Sequence, residues 1–326
     1  MTTTIAAVIP LHNKARFIER ALRSVLAQTR RVDEIIVVDD ASTDGGADIV
    51  SRIAAGKPGL PFRLLGRSAP GAGGYAARNL AITTAQSNWI AFLDADDEWE
   101  PRHIETVCKV VETHDVGAVG ASRRVLRGAA RDIRYATPRP QDEIVGFSDF
   151  VRVWLKRKDC PFWTSATSVR RDILLDAGLF PADRCRRGGD KDLWLRAMRH
   201  TKALLTRSVG ATYHNDDPHQ VTRKEATHAE HCLAPTLERM IAEESDETRR
   251  LLIRLLNMEI CQYAKFALGR SPIGPDLYRA FRPDAAPLTY LLLLAAAHTP
   301  VSWIGGIRAV LKPRRELAPR SPCLGS

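Results

Sequence analysis

The sequence predicts an α/β protein, a mostly parallel sheet with helices on both faces, followed by a helical C-terminal extension. Three observations carry this. Short apolar, β-branched runs alternate with amphipathic stretches through the first half. Three of those runs end in polar clusters. Beyond Thr222 the chain reads as mostly helical, and its tail is apolar.

Ile5 to Leu11 is an apolar first strand. Ala15 to Gln28 sets Phe17, Ile18, Leu22, Val25 and Leu26 at helical spacing. Ile35 to Val38 is a β-branched run bounded by Asp39 and Asp40. Asp44-Gly45-Gly46 breaks the chain, and Ala47 to Ala55 reads as a helix. Phe62 to Leu65 predicts a third strand, Tyr75 to Ala85 a helix, and Trp89 to Leu93 a fourth strand. Pro101 suits the first turn of a helix reaching Thr113. The middle is less regular. Arg123 to Arg139 is rich in arginine and has no clear period. Ser165 to Val169 reads as a strand and Arg171 to Ala177 as a short helix ended by Gly178. Cys185 to Gly189 is a loop before a helix from Asp190 to His200. The expected division is a main domain over residues 1–220 and a helical extension over 221–326.

With 44% hydrophobic and 26% charged residues, the composition excludes a disordered chain, a collagen-like fibre and a polytopic membrane protein. Lys plus Arg is 48 against 38 Asp plus Glu, a net charge of +10 that suggests an anionic partner. The basic stretches lack interleaved aromatics and no recognition motif appears, so nucleic acid is not expected. The six cysteines are scattered without a C-x-x-C, which argues against a disulfide scaffold or zinc site and for a reducing compartment. The N-terminus has no basic or long apolar leader region, so a cytoplasmic location is expected. Leu288 to Leu311 is apolar but broken at His298 to Pro300 and at Gly305-Gly306, short of the ~20 residues of a spanning helix. Lys312, Arg314 and Arg315 follow it. This predicts peripheral contact with an anionic membrane at its inner face, a buried helical hairpin being the alternative.

Ligands of open parallel sheets sit beyond the carboxyl ends of the strands. Those ends carry His12-Asn13, Asp39-Asp40 and Asp94-Ala95-Asp96-Asp97. Turn formation and capping explain any one cluster, but not three along one edge. Crowded carboxylates repel one another unless a cation sits between them, and oxygen ligands suit Mg2+ or Mn2+ completed by substrate phosphates. Gly71-Ala72-Gly73-Gly74-Tyr75-Ala76 also fits G-x-G-x-x-A, with Asp94 downstream, as in an NAD-dependent oxidoreductase. That alternative leaves residues 66–70 unaccounted for and gives Asp39-Asp40 no role.

Val8-Ile9-Pro10-Leu11-His12-Asn13, Val37-Val38-Asp39-Asp40-Ala41-Ser42-Thr43-Asp44, Ala77-Arg78-Asn79 and Phe92-Leu93-Asp94-Ala95-Asp96-Asp97 together resemble the family 2 inverting glycosyltransferases. Gly178-Leu179-Phe180 and the stretch from Gly188 to Arg196 match further downstream, so the resemblance runs from Ile5 to His214. It implies the A-type glycosyltransferase fold, Rossmann-like, and transfer from a nucleotide-sugar donor, most often a UDP-sugar, to a saccharide or lipid-linked acceptor. By position, Asp40 resembles the residue bonded to the nucleotide base, with Pro10 and His12 lining that pocket. Asp94 lies near the ribose, Asp96 ligates the metal, and Arg78 reaches a phosphate or pairs with a local carboxylate. His214 sits where some members contact the diphosphate or the metal. Asp190 resembles the general base, with Asp192 as its rival, read as a salt-bridge partner. Two departures stand out: many members have Tyr at the position of His12 and Glu at that of Gly189. Trp163 lines the acceptor site or packs. A member without turnover, binding sugar nucleotides only, is the non-enzymatic alternative.

Overall fold

The computed structural model describes residues 2–215, 231–267 and 273–299. Residues 2–215 and 232–258 belong to one compact unit, and residues 231, 259–267 and 273–299 to a second. The expected boundary at 220/221 and the tail beyond Thr299 lie outside the described residues.

The first unit opens with four parallel strands: β1 (Ile5–Leu11), β2 (Glu34–Asp39), β3 (Phe62–Gly66) and β4 (Trp89–Phe92), in the order β3-β2-β1-β4. Fully buried parallel strands read as continuous apolar runs, which is how β1, β2 and β4 appear in the sequence. The connecting helices are α1 (Ala15–Leu26), α2 (Gly46–Ala55) and α3 (Tyr75–Thr84). The chain adds strands outward from β1 to β3 and then returns to place β4 on the other side of β1. A crevice opens at such a switch point.

Beyond β4 the sheet is mixed. Next come β5 (Glu98–Trp99), α4 (His103–Thr113), β6 (Ala118–Arg127), β7 (Ala130–Arg134), β8 (Glu143–Val145) and α5 (Phe147–Arg157). They are followed by β9 (Thr167–Arg170), α6 (Arg171–Asp176), α7 (Gly189–Ala197) and β10 (Ala203–His214). β9 runs antiparallel to both β4 and β6, while β10 runs parallel to β6 and antiparallel to β5 and β8. The expected α/β layering is therefore the observed one, with parallel pairing concentrated in its first half. The arginine-rich stretch from Arg123 is not irregular: β6 and β7 pair through it, with Arg123 opposite Arg134. Its outer end is exposed, so no apolar alternation marks it.

α8 (Ala234–Glu243) and the start of α9 (Asp246–Ala267) complete this unit. One expectation is corrected here. Cys185 and Cys232 are disulfide-bonded, 47 residues apart in sequence with Cα atoms 5.7 Å apart, so the cysteines are not all free. The fold alone brings this pair together, and its sequence spacing carries no signature. The second unit contains α10 (Pro275–Tyr278) and α11 (Pro287–His298). No helix among the described residues is long and apolar enough to cross a membrane.

Candidate active site

The register aligns Leu11 of β1 with Asp39 of β2 and Val8 with Phe92 of β4, so β1 and β2 end level and β4 stops three residues earlier, its acidic cluster following along the same edge. The polar clusters that follow them therefore share one edge. Asp40 is 1% exposed, and Arg67 and the Gly71 N–H (2.9 Å) each bond one of its carboxylate oxygens. His12 Nδ1 lies 2.7 Å from the Asp40 carbonyl oxygen, which fixes the ring beside it. Gly73 and Gly74 both have positive φ, and a Cβ on Gly74 would touch Pro10 at 3.4 Å. The glycines thus serve a tight approach to Asp40 and Pro10. This supplies the role for Asp40 that the dinucleotide-binding alternative lacks.

Arg78, on α3, ion-pairs with Asp94 and donates to the Gly73 carbonyl at 2.9 Å. Burial works against the charge of Arg78, yet Asp94 beside it holds the guanidinium above its ordinary pKa. Burial raises the Asp94 carboxyl; Arg78 offsets part of this, and the charges of Asp96 and then Asp190 add to it. The charge of Asp190 thus acts on Asp94 and Arg78, although 96 and 112 positions of sequence separate it from them. Asp96 pairs with Lys14 at 2.8 Å. Each acid at Asp40, Asp94 and Asp96 therefore has its own cationic partner.

Asp97 is buried, and its pKa is pushed well up by that burial and by the charges of Asp96 and Asp94. It accepts a 2.5 Å hydrogen bond from Ser165 Oγ, which in turn accepts the Asp94 N–H at 3.1 Å. The turn after β4 is thereby tied to the segment before β9. His214 Nε2 lies 3.0 Å from Glu98 Oε1, where β10 pairs with β5. The Arg123 guanidinium lies 4.3 Å from the centre of the Trp163 ring, and the Tyr213 ring 4.9 Å from it.

Among the described residues no group of three or more His, Cys, Asp or Glu side chains converges on a metal position. The donor set still suits a hard cation that arrives with a diphosphate. Mg2+ usually binds through one or two carboxylates plus substrate phosphates, and the Asp96 carboxylate already holds an ammonium at 2.8 Å.

Asp190 and Asp192 lie on different sides of α7. Asp190 is partly exposed in the first turn. Asp192 is 0% exposed and bonds Arg196 (2.8 Å), Arg184 (3.1 Å) and Thr236 Oγ1 (2.5 Å). Arg196 also donates to the Leu179 carbonyl at 2.7 Å, so Asp192 anchors the corner before α7. Lys14, Arg67 and Asn79 carry no assigned role in the sequence, and Ser165, expected beside Trp163 at the acceptor site, instead bonds Asp97 and the Asp94 N–H. Asn79 alone lay inside a recognised motif, and its side-chain amide makes two bonds to the Phe180 backbone, at 2.8 and 2.9 Å.

The family model described as Glycosyl transferase family 2 matches residues 6–176. An uncharacterised glycosyltransferase of Nostoc sp. is 31% identical over 182 residues, covering 55% of this chain and 54% of the relative, so the chain spans about half the length of that protein. The S. aureus TarS structure in complex with UDP-GlcNAc superposes with a TM-score of 0.70 at 15% identity, covering 94% of this chain and 92% of that one. The mannosyltransferase PcManGT of Pyrobaculum calidifontis, in complex with GDP-Man and Mn2+, has a TM-score of 0.57 at 20% identity, covering 95% and 85%. Both structures share the fold.

Proposed function

The chain belongs to glycosyl transferase family 2, and from that premise we propose an inverting, metal-dependent transfer of sugar from a nucleotide diphosphate sugar to an acceptor hydroxyl. UDP-sugars are the first donors to test, and the proposed setting is cell-surface polysaccharide or glycolipid synthesis. The observation that carries the reading is the shared strand edge: the ends of β2 and β4 bring Asp40, Asp94 and Asp96 to the side where β1 ends in His12, and the charge of Asp190 acts on Asp94 and Arg78. The nucleotide complexes of the two structural neighbours support a nucleotide-sugar donor, and the Mn2+ of one supports a divalent ion.

In this reading Pro10, His12 and Asp40 receive the base, and Asp94 lies at the ribose. Asp96 would hold Mn2+ or Mg2+, with His214 as the second candidate ligand. The bound cation would stabilise the departing diphosphate. Asp190 accepts the proton of the acceptor hydroxyl while that oxygen bonds the anomeric carbon and the carbon–diphosphate bond breaks. A single displacement inverts the centre, and general-base assistance is worth about 10²–10⁴-fold. Asp190 lies in the first turn of α7, where the helix dipole favours a carboxylate. Arg78 balances the charge between Asp94 and Asp190. We place this chemistry in residues 1–220, and assign residues 221–326 to a helical extension in peripheral contact with a membrane.

A panel of nucleotide sugars, assayed for transfer and for metal-dependent donor hydrolysis, tests the proposal. Asp96→Ala should abolish transfer, leave the melting temperature near wild type and weaken Mn2+ binding by titration. Full activity in EDTA would overturn the metal assignment. Nucleotide binding without turnover across the panel would leave a sugar-nucleotide-binding protein.

A further inference from the structure

The glycine loop before α3 and the start of α7 meet at one side chain. Tyr75 opens α3 and is 5% exposed. Its ring is enclosed by two glycines: a Cβ on Gly73 or on Gly189 would come within 2.7 Å of it. Its hydroxyl accepts the Gly189 N–H at 2.9 Å, across 114 residues of sequence. That N–H is one of the donors left unsatisfied at any helix start. Gly188 stands at the N-cap with φ 81° and offers no side-chain acceptor, so Tyr75 caps α7 from another helix. The ring also stacks on Phe180 at 5.7 Å, and Asn79, one turn along α3, holds the Phe180 backbone through both atoms of its amide. α3 therefore grips both the first residue of α7 and the corner that leads to it. Asp190 is the next residue.

We propose that Tyr75 is a positioning residue for Asp190, holding the first turn of α7 so that this carboxylate meets the acceptor hydroxyl. The inference rests on the reading of Asp190 as the base. It also accounts for Gly189, where the family resemblance led one to expect Glu: the Tyr75 ring occupies the space a side chain would need. A misplacement of about 1 Å can cost about 100-fold in rate, so a cap that fixes the helix start has kinetic weight.

Tyr75→Phe keeps the ring and removes the acceptor for the Gly189 N–H. Transfer kinetics, nucleotide affinity by calorimetry with UDP and Mn2+, and melting temperature are measured on the full chain. The expected result is a kcat lowered by about 10- to 100-fold, with donor KM and UDP affinity within about 2-fold and an almost unchanged melting temperature. In the Asp190→Asn background, Tyr75→Phe should cause no further loss. Gly189→Ala, which drives a methyl into the ring, should lower kcat in the same way. A wild-type kcat in Tyr75→Phe, beside an inactive Asp190→Asn, overturns the positioning role alone. A uniform fall in kcat, affinity and melting temperature also overturns it, since that is the signature of lost packing. Full turnover in Asp190→Asn overturns the base assignment, and the proposal with it.

Discussion

Two carboxylates two residues apart on α7 have opposite environments, and substitution should separate them. Asp192 is fully buried among Arg184, Arg196 and Thr236. Removing its charge leaves Arg196 facing a neutral amide in the interior, a change that costs about 3–5 kcal/mol in comparable buried pairs. Asp192→Asn should therefore unfold at markedly lower denaturant, measured by urea titration. Asp190→Asn should keep its melting temperature and UDP affinity while losing turnover, because the amide cannot take the acceptor's proton. An active Asp190→Asn together with a stable, inactive Asp192→Asn would reverse the assignment. His103 poses a different problem. It is 1% exposed, neither ring nitrogen has a hydrogen-bond partner, and burial lowers its pKa from 6.5 to about 4. The unfolded chain then binds this proton more readily than the folded one between those values. Stability from this group is complete above pH 6.5 and is lost as pH falls toward 4, by roughly 3 kcal/mol. His103→Leu should flatten that part of the stability–pH curve; an unchanged slope would show that other groups set it.

At the scale of elements, the loop ahead of α7 is the best-anchored part of the site. Cys185 is bonded to Cys232, Arg196 holds the Leu179 carbonyl, and Tyr75 caps the helix. The chain-entropy model gives about 4 kcal/mol for closing a loop of 47 residues. Cys185→Ser/Cys232→Ser should lower the melting temperature, and alkylation of the denatured, unreduced protein should label Cys108, Cys160 and Cys261 but spare this pair. Labelling of all six would remove the cross-link and restore the expectation of free thiols. The disulfide shows which kinds of information the sequence carries. β1, β2 and β4 were legible because strands buried on both faces need unbroken apolar runs, and their acidic ends were legible because the chemistry gathers there. β10 was not, because its pairing to β6 shifts register between Leu205 and Val209 and again before Ala211, which breaks any period. α5 carries helical spacing at Phe150, Val151 and Trp154 and obeys the rule that finds α1, but it lies in a middle region given no such assignment. The cationic partners Lys14, Arg67 and Arg78 illustrate a third case: the sequence shows the acids, whereas only the fold decides which base meets which acid.

For the whole molecule, the net charge of +10 and the apolar tail are best understood together. α11 leaves Leu288, Leu291 and Leu292 at 76%, 61% and 72% exposure, a contiguous run of apolar surface that water disfavours. At 12 residues the helix is about 18 Å long, well short of a ~30 Å hydrocarbon core, so it suits the interface and not the span. Burying a leucine side chain completely is worth about 1.5–3 kcal/mol, and partial insertion of three gives a weak, reversible attachment. Basic residues add about 1 kcal/mol each near an anionic surface. Lys312, Arg314 and Arg315 continue the sequence but lie outside the described residues. We therefore expect the full chain to bind anionic vesicles and to lose most of that binding when truncated after Ala286, with donor hydrolysis preserved. Leu291→Glu/Leu292→Glu should act like the truncation, since it changes only the exposed face, and raised salt should weaken what remains. If the intact chain ignores vesicles and the truncated chain precipitates, the leucines cover part of the protein itself, and the acceptor is reached without a membrane anchor.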